Sequence, residues 1–223
     1  CAVLNADDPL TLRMSGYTDA ASICYVTMTP QHQLVREHVR AGGRACALEA
    51  GVNGQMITLY DRSSHIPLVW THLIPATLEG RAMHNVQNAM FAAAMAYSLG
   101  IKLDAIRHGL RTFDSTFFQA PGRMNVFEEH PFKVIFDYGH NAHAVGVMAD
   151  LACALDGGGK RIVVDAKVPL DAYLRAVEAT DPDNHQQHMA EHATQCRRHL
   201  EGLTRKAYWE QFEDAPDCVI MFV

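Results

Sequence analysis

The stretch 122–143, GRMNVFEEHPFKVIFDYGHNAH, constrains this chain more than any other. Val134-Ile135-Phe136 is a short apolar run of β-branched and aromatic residues, and it reads as a buried strand. It ends in Asp137, and Gly139-His140-Asn141 follows as a turn. Apolar residues then recur at Val145, Met148, Ala149, Leu151 and Ala152, the spacing of one helical face. Asp137 and His140 therefore stand at the carboxyl end of a strand, just ahead of a helix, where open α/β sheets bind ligands. Asp, Asn and His in such a turn also cap helices, so the pattern alone leaves both roles open.

The wording is more specific than the pattern. GRM, a strand and then DYGHN resembles the start of the C-terminal domain of the Mur ligase superfamily, and the longer run 112–148 is most similar to the cyanophycin synthetases. The resemblance implies an ATP-dependent ligase that joins a carboxylate to an amine. It implies an α/β fold: the end of a central ATP-binding domain over 1–121, then the start of a Rossmann-like C-terminal domain over 122–164.

Composition sets the bounds. Hydrophobic residues make up 48% of 223, ample for a core. A net charge of −6 gives no general attraction to nucleic acid. The six cysteines, at 1, 24, 46, 153, 196 and 218, form no CxxC pair and read as reduced thiols, mostly in the core. No apolar run is long enough to span a bilayer and no signal peptide is visible, so the expected location is cytoplasmic, with no membrane partner. The chain starts inside an apparent strand and ends in an apolar run, and both ends read as cut from something longer.

In the first half, Ala2-Val3-Leu4 reads as a strand running into Asn5-Ala6-Asp7-Asp8-Pro9, with Pro9 suited to a helix's first turn. Turn chemistry explains this run as well as binding does. The family resemblance implies that Asn5, with Asp8 as a second candidate, lies beside the adenine. Residues 23–28 read as a strand, and 31–40 as a helix ended by Gly42-Gly43. Residues 44–48, 55–60 and 66–70 read as strands around turns at 53–54 and 61–64. This β-rich stretch resembles the sheet extension of the cyanophycin synthetase ligase domain. His65 and His72 read as surface or strand-pairing residues.

The run G-R-x-x-H-N-x-x-N carries Gly80, Arg81, His84, Asn85 and Asn88, followed by an alanine-rich helix that Gly100 ends. A helix start favours anions, and an N-cap role is the plain alternative. The run resembles the Mur ligase helix whose His-Asn pair lines the ATP site, which implies nucleotide contact by His84 and Asn85. A second helix over 104–110 leads to an aromatic hinge at 112–121. Arg123 follows, and a guanidinium there could reach a phosphate when domains close. The resemblance implies that Arg123, Asp137 and His140 serve the nucleotide from the C-terminal side. Asn125 stands where many Mur ligases carry an acid.

Ligation of this kind needs a phosphate loop and Mg²⁺ ligands. No G-x-x-x-x-G-K-[ST] occurs here, and Gly157-Gly158-Gly159-Lys160 is a turn before a strand. The expectation is a chain that does not ligate alone.

From about residue 159 the wording changes. RIVVDAKVPLDAYL and the later KAYWEQFEDAPDCVIMF resemble the RmuC DNA recombination family. That family looks related to nucleases whose metal site carries an acid and a Lys two residues apart on one strand. Asp165 and Lys167 have that spacing, so a strand would put both on one face. The acid could bind Mg²⁺ and the Lys steady a water, or the two could form a strand-end salt bridge. His185, His188, His192, Cys196 and His199 share one helical face, yet one straight helix cannot wrap them around an ion, so they read as a polar seam with no metal. The two resemblances meet at GGGKRIVV, which reads as the join of a chimera, with 165–223 as its RmuC-like segment; a third reading is an inert fused polypeptide with neither activity. DNA is the partner under that second resemblance; ATP and an amino-acid or peptide substrate are the partners under the first.

Overall fold

The computed structural model describes residues 1–127, 134–139, 141–155, 163–165, 169–206 and 219–221. It divides into two compact units, Cys1–Arg123 and Met124–Val223.

The front unit is built on one five-stranded sheet, in the order β1-β2-β3-β4-β5. β1 (Ala2–Asn5), β2 (Ile23–Thr27) and β3 (Arg44–Gly51) run parallel, joined by crossovers through α1 (Pro9–Arg13) and α2 (Gln33–Arg40). β4 (Gly54–Asp61) and β5 (Ser64–Trp70) then turn back antiparallel. The β3–β4 register pairs Gly51 with Gly54, so the turn residues are Val52-Asn53, one position earlier than the Asn53-Gly54 signal. The α2 exit needs Gly43 for space: a Cβ there would lie 2.2 Å from the His38 ring.

Side-chain alternation along the strands splits the core into two faces. Cys24 and Val26 on β2, and Cys46 and Leu48 on β3, face one side; Tyr25 and Ala45 face the other. The first face is covered by α3 (Met83–Ser98) and by Ile106 of α4 (Leu103–Thr112). Ala89, Ala93 and Ala94 are buried on α3, so this helix presents small side chains to the sheet. Val86 and Met90 are fully buried beside them, and burial of each contributes roughly 1.5–3 kcal/mol. Val35 of α2 packs on the second face. Burial pushes the Cys24 thiol up to about 12 and Cys46 well above its usual range, so both are protonated core residues at neutral pH. Cys153 and Cys218 lie outside the residues whose side chains are described.

α3 ends as its glycine requires. Gly100 has φ +81°, its N–H reaches Tyr97 O, and the Ile101 N–H reaches Ala96 O, the paired bonds of a Schellman cap. At the outer edge, Arg107 of α4 donates to the carbonyls of Leu68 (3.1 Å) and Pro67 (3.0 Å) on β5.

The second unit holds an antiparallel pair, β6 (Asn125–Phe127) with β7 (Val134–Phe136), and a parallel pair, β8 (Val163–Asp165) with β9 (Val219–Met221). β7 departs from the sequence expectation of a buried strand. Its described neighbour is β6 alone, and Phe136 is 43% exposed. α5 (Ala142–Leu155) follows, capped by Asn141, whose side chain accepts the Ala144 N–H at 2.9 Å. α6 (Asp171–Glu178) and the long α7 (Pro182–Lys206) form a helical hairpin. Two histidines of α7 clamp both ends of α6: His185 Nδ1 donates to Ala176 O (2.9 Å), and His192 Nδ1 to Pro169 O (3.1 Å).

Candidate functional site

β1 delivers Asn5 to its carboxyl end, at the turn into α1. The Asn5 Oδ1 accepts the Asp7 N–H at 3.1 Å, so its orientation is set locally. Asp8 is a helix cap: its Oδ1 accepts the Leu10 and Thr11 N–H groups at 2.7 and 3.2 Å. Those two backbone donors hold its carboxyl below the usual range. Asp7 reaches across to the neighbouring strand. Its Oδ1 accepts the buried Thr27 hydroxyl at 2.6 Å and its Oδ2 accepts the Met28 N–H at 2.6 Å. His32, just ahead of α2, places Nε2 3.0 Å from Ala6 O. The carboxyl ends of β1 and β2 are thus laced together by polar bonds.

His84 and Asn85 lie inside the first turn of α3, both half-buried. The N-cap is Ala82, which makes no side-chain cap bond, so neither residue is the cap that helix chemistry alone offered. The Asn85 side chain donates to Ala76 O at 2.7 Å and accepts from Asn88 Nδ2 at 3.2 Å. The segment entering α3 is conformationally unusual. Leu78, Glu79 and Gly80 all have positive φ, at 50°, 60° and 84°. Such backbone in non-glycine residues costs of order 1 kcal/mol or more each and gathers at functional sites. Thr77, fully buried, holds the run: its single hydroxyl proton has the Thr71 and Ile74 carbonyls at 2.7 and 2.8 Å as acceptors, and its oxygen accepts the Gly80 N–H at 3.0 Å.

Arg123 is exposed, at the end of the front unit. In the second unit, the Asp137 Oδ2 accepts the Met124 N–H at 3.0 Å. Met124 itself has φ +51° and is buried. Asn5, His84 and Asn85 therefore belong to one unit and Asp137 to the other. His140 and Lys167 lie outside the described residues; Asp165 is the last residue of β8.

Two polar clusters escaped the sequence reading. Asp61 on β4 accepts Arg44 Nε at 3.1 Å and the Tyr97 hydroxyl at 2.9 Å, tying α3 to the sheet. Burial pushes its carboxyl up, but Arg44 and Tyr97 together outweigh burial and hold it below 3.8. Glu49 accepts from Thr58 (2.8 Å), His65 (3.0 Å) and the Tyr60 hydroxyl. Counting outward from the turns would have found Arg44 opposite Asp61 and Tyr60 opposite His65, but Glu49 pairs with Met56, and its reach to Thr58, Tyr60 and His65 has no signal in the register. Three histidines of α7 are engaged with carbonyls or a carboxylate: His185 with Ala176 O, His192 with Pro169 O, and His188 at 3.4 Å from Glu191. Among the described residues no group of three or more His, Cys, Asp or Glu is placed to hold a metal ion, and no helix is long and apolar enough to cross a membrane.

The front unit is a mixed α/β sheet with polar groups at strand ends and helix starts, the places where open α/β sheets can take ligands. The front part of the chain is similar to Mur-type ligases, and its last part to RmuC proteins. The cyanophycin synthetase of Trichormus variabilis is 39% identical over 144 residues, 63% of this chain and 15% of that protein. The UDP-N-acetylmuramate–L-alanine ligase of Burkholderia multivorans is 29% identical over 166 residues, 73% of this chain and 32% of that ligase. The DNA recombination protein RmuC homolog of Zymomonas mobilis is 46% identical over 65 residues, 29% of this chain and 14% of that protein. The RmuC family model matches residues 125–223. This match starts well ahead of residue 159, where the wording first changes, and overlaps the ligase-like GRM-to-DYGHN stretch. The chain spans about a sixth of the length of the cyanophycin synthetases it matches.

Proposed function

We propose that this chain is a segment of a cyanophycin-synthetase-like, ATP-dependent carboxylate–amine ligase, continued by an RmuC-like segment in a chimeric join near 159–165. In this reading Asn5, His84 and Asn85 serve the adenine side of ATP from the front unit. The family resemblance alone assigns Arg123, Asp137 and His140 to the nucleotide as well. The observation that carries the reading is the 39% identity over 144 residues to a cyanophycin synthetase. The laced strand ends at Asn5 and the strained entry to α3 at Asn85 support it, because both put polar groups where α/β proteins bind ligands.

In the intact enzyme that this reading implies, the cofactors are ATP and Mg²⁺, the substrate is an amino acid or peptide, and the location is cytoplasmic. No phosphate-loop motif occurs in this sequence, so in this reading the polypeptide does not ligate by itself. Calorimetry with a non-hydrolysable ATP analogue tests the binding half. A purified chain that releases ADP from ATP in the presence of an amino-acid acceptor would sink the inactive half.

The RmuC family match over 125–223 supports a second reading, a DNA-acting protein. There Asp165 would bind Mg²⁺ and Lys167 would steady the attacking water. Metal-dependent DNA cleavage by the chain, lost in Lys167→Ala, is its expected signature; a chain inert on DNA removes it. Amplification across residues 157–165 from source DNA tests the join, and failure to amplify marks it as artificial.

A further inference from the structure

Asp8 and Asp7 stand side by side but do different work. Asp8 closes its own helix, as turn chemistry predicts. Asp7 spends both carboxylate oxygens on residues 20 and 21 positions away, Thr27 and Met28, at 2.6 Å each. Bonds this short to a carboxylate are charge-assisted and about twice as strong as neutral ones. The Asp7 N–H meanwhile holds Asn5 Oδ1 at 3.1 Å. The same turn is fixed further by Ala6 N–H to Val26 O at 2.9 Å and by His32 at Ala6 O. On the far side, the Thr27 hydroxyl accepts the Thr29 N–H at 3.0 Å, so the Asp7 bonds also shape the exit from β2.

We propose that Asp7 is a positioning residue of the nucleotide site: by clamping Thr27 and Met28 it fixes the angle at which the Asn5 carboxamide meets an adenine ring. The inference rests on the ligase reading above. Removing the carboxylate frees the β1–β2 exit and lets the Asn5 amide turn, although Asn5 itself is untouched. Asp7→Asn keeps an oxygen for Thr27 but sets an NH₂ group against the Met28 N–H, two donors face to face.

The test is calorimetric titration of the full chain with a non-hydrolysable ATP analogue, at a temperature where circular dichroism shows every variant folded. Asp7→Asn is expected to weaken binding about tenfold, the scale of one charge-assisted bond. The exposed Asp104→Asn, which removes the same charge from α4, is expected to leave affinity unchanged. Thr27→Val should weaken binding and Thr27→Ser restore it, so the pair decides the matter even if Asp7→Asn does not fold. A folded Asp7→Asn that melts earlier yet binds with wild-type affinity overturns the proposal, as does equal affinity for Thr27→Val and Thr27→Ser. A wild-type chain that binds no adenine nucleotide overturns the ligase reading and this proposal together.

Discussion

Asp137 accepts the backbone N–H of Met124 at 3.0 Å, bridging the residue that follows β7 to the residue that precedes β6. The bond holds Met124 in a left-handed conformation, with its side chain buried. An aspartate singled out for nucleotide contact thus also has a structural duty, and substitutions separate the two. Asp137→Asn retains a carbonyl oxygen for Met124 but loses the charge, so it should lower affinity for an ATP analogue while largely sparing the β6–β7 pair. Asp137→Ala should lose both, exposing the Asn125 and Met124 amides to faster hydrogen exchange. An Asp137→Ala chain with unchanged nucleotide affinity would remove Asp137 from the site.

The Arg44–Asp61–Tyr97 and Glu49 clusters predict acid sensitivity of the front unit. Burial raises both carboxyls, and the partners outweigh it: Arg44 and Tyr97 for Asp61, Tyr60, His65 and Thr58 for Glu49. Both folded values are therefore depressed below their usual 3.8 and 4.5. A depressed carboxyl adds stability that is fully present above its unfolded value and is lost as pH falls through the folded value. The midpoint of urea unfolding, followed at Trp70, should hold steady above about pH 5 and drop below about pH 4.5. Tyr97→Phe should cost about 1 kcal/mol at pH 7 and flatten the acid limb, since it removes one support of the Asp61 charge. An acid limb identical to wild type would show that Asp61 does not feel Tyr97.

Two glycines with open space around them should respond in opposite directions. Gly100 sits at φ +81° in the cap of α3, so Gly100→Ala should destabilise by about 1 kcal/mol through backbone strain alone. Gly109 lies within α4 at helical φ, and Gly109→Ala should stabilise by about 0.5–1 kcal/mol. Thermal melts of the two variants should straddle the wild type.

The α6–α7 hairpin rests on His185 and His192, each donating Nδ1–H to a carbonyl at one end of α6. His192→Ala removes the bond to Pro169 O and the ring contact with Tyr173 at 5.4 Å. Faster amide exchange in α6, with α7 protected as before, is the expected result. Equal loss of protection along both helices would mean the clamp is not local.

The sequence predicted the element types of the front unit well because each strand was bounded by turn residues and the helices by proline, glycine or an alanine run. Residue-level roles were less legible. Asp7 and Asp8 are the same side chain in adjacent positions, and only the tertiary placement of β2 separates a cross-strand clamp from a helix cap. Asn85 was read at a helix boundary, where capping competes with binding; it lies in the first turn of α3, and the strained backbone at Leu78 and Glu79 that precedes this turn has no sequence signal because neither residue is one that favours positive φ. β7 reads as buried from its composition, whereas Phe136 is half exposed, because three apolar residues fix a strand and not which of its side chains are covered.

Arg107 lies along the outer rim of the β sheet, its fork on the Pro67 and Leu68 carbonyls. Proline has no N–H to offer at that position, and the guanidinium already occupies the neighbouring acceptors. A stray extended peptide that approaches this rim finds neither partner at the two positions where zippering would start. The front unit should therefore tolerate high concentration without fibril growth from this side, and Arg107→Ala, which frees both carbonyls but leaves Pro67 without an N–H, should weaken that safeguard rather than abolish it.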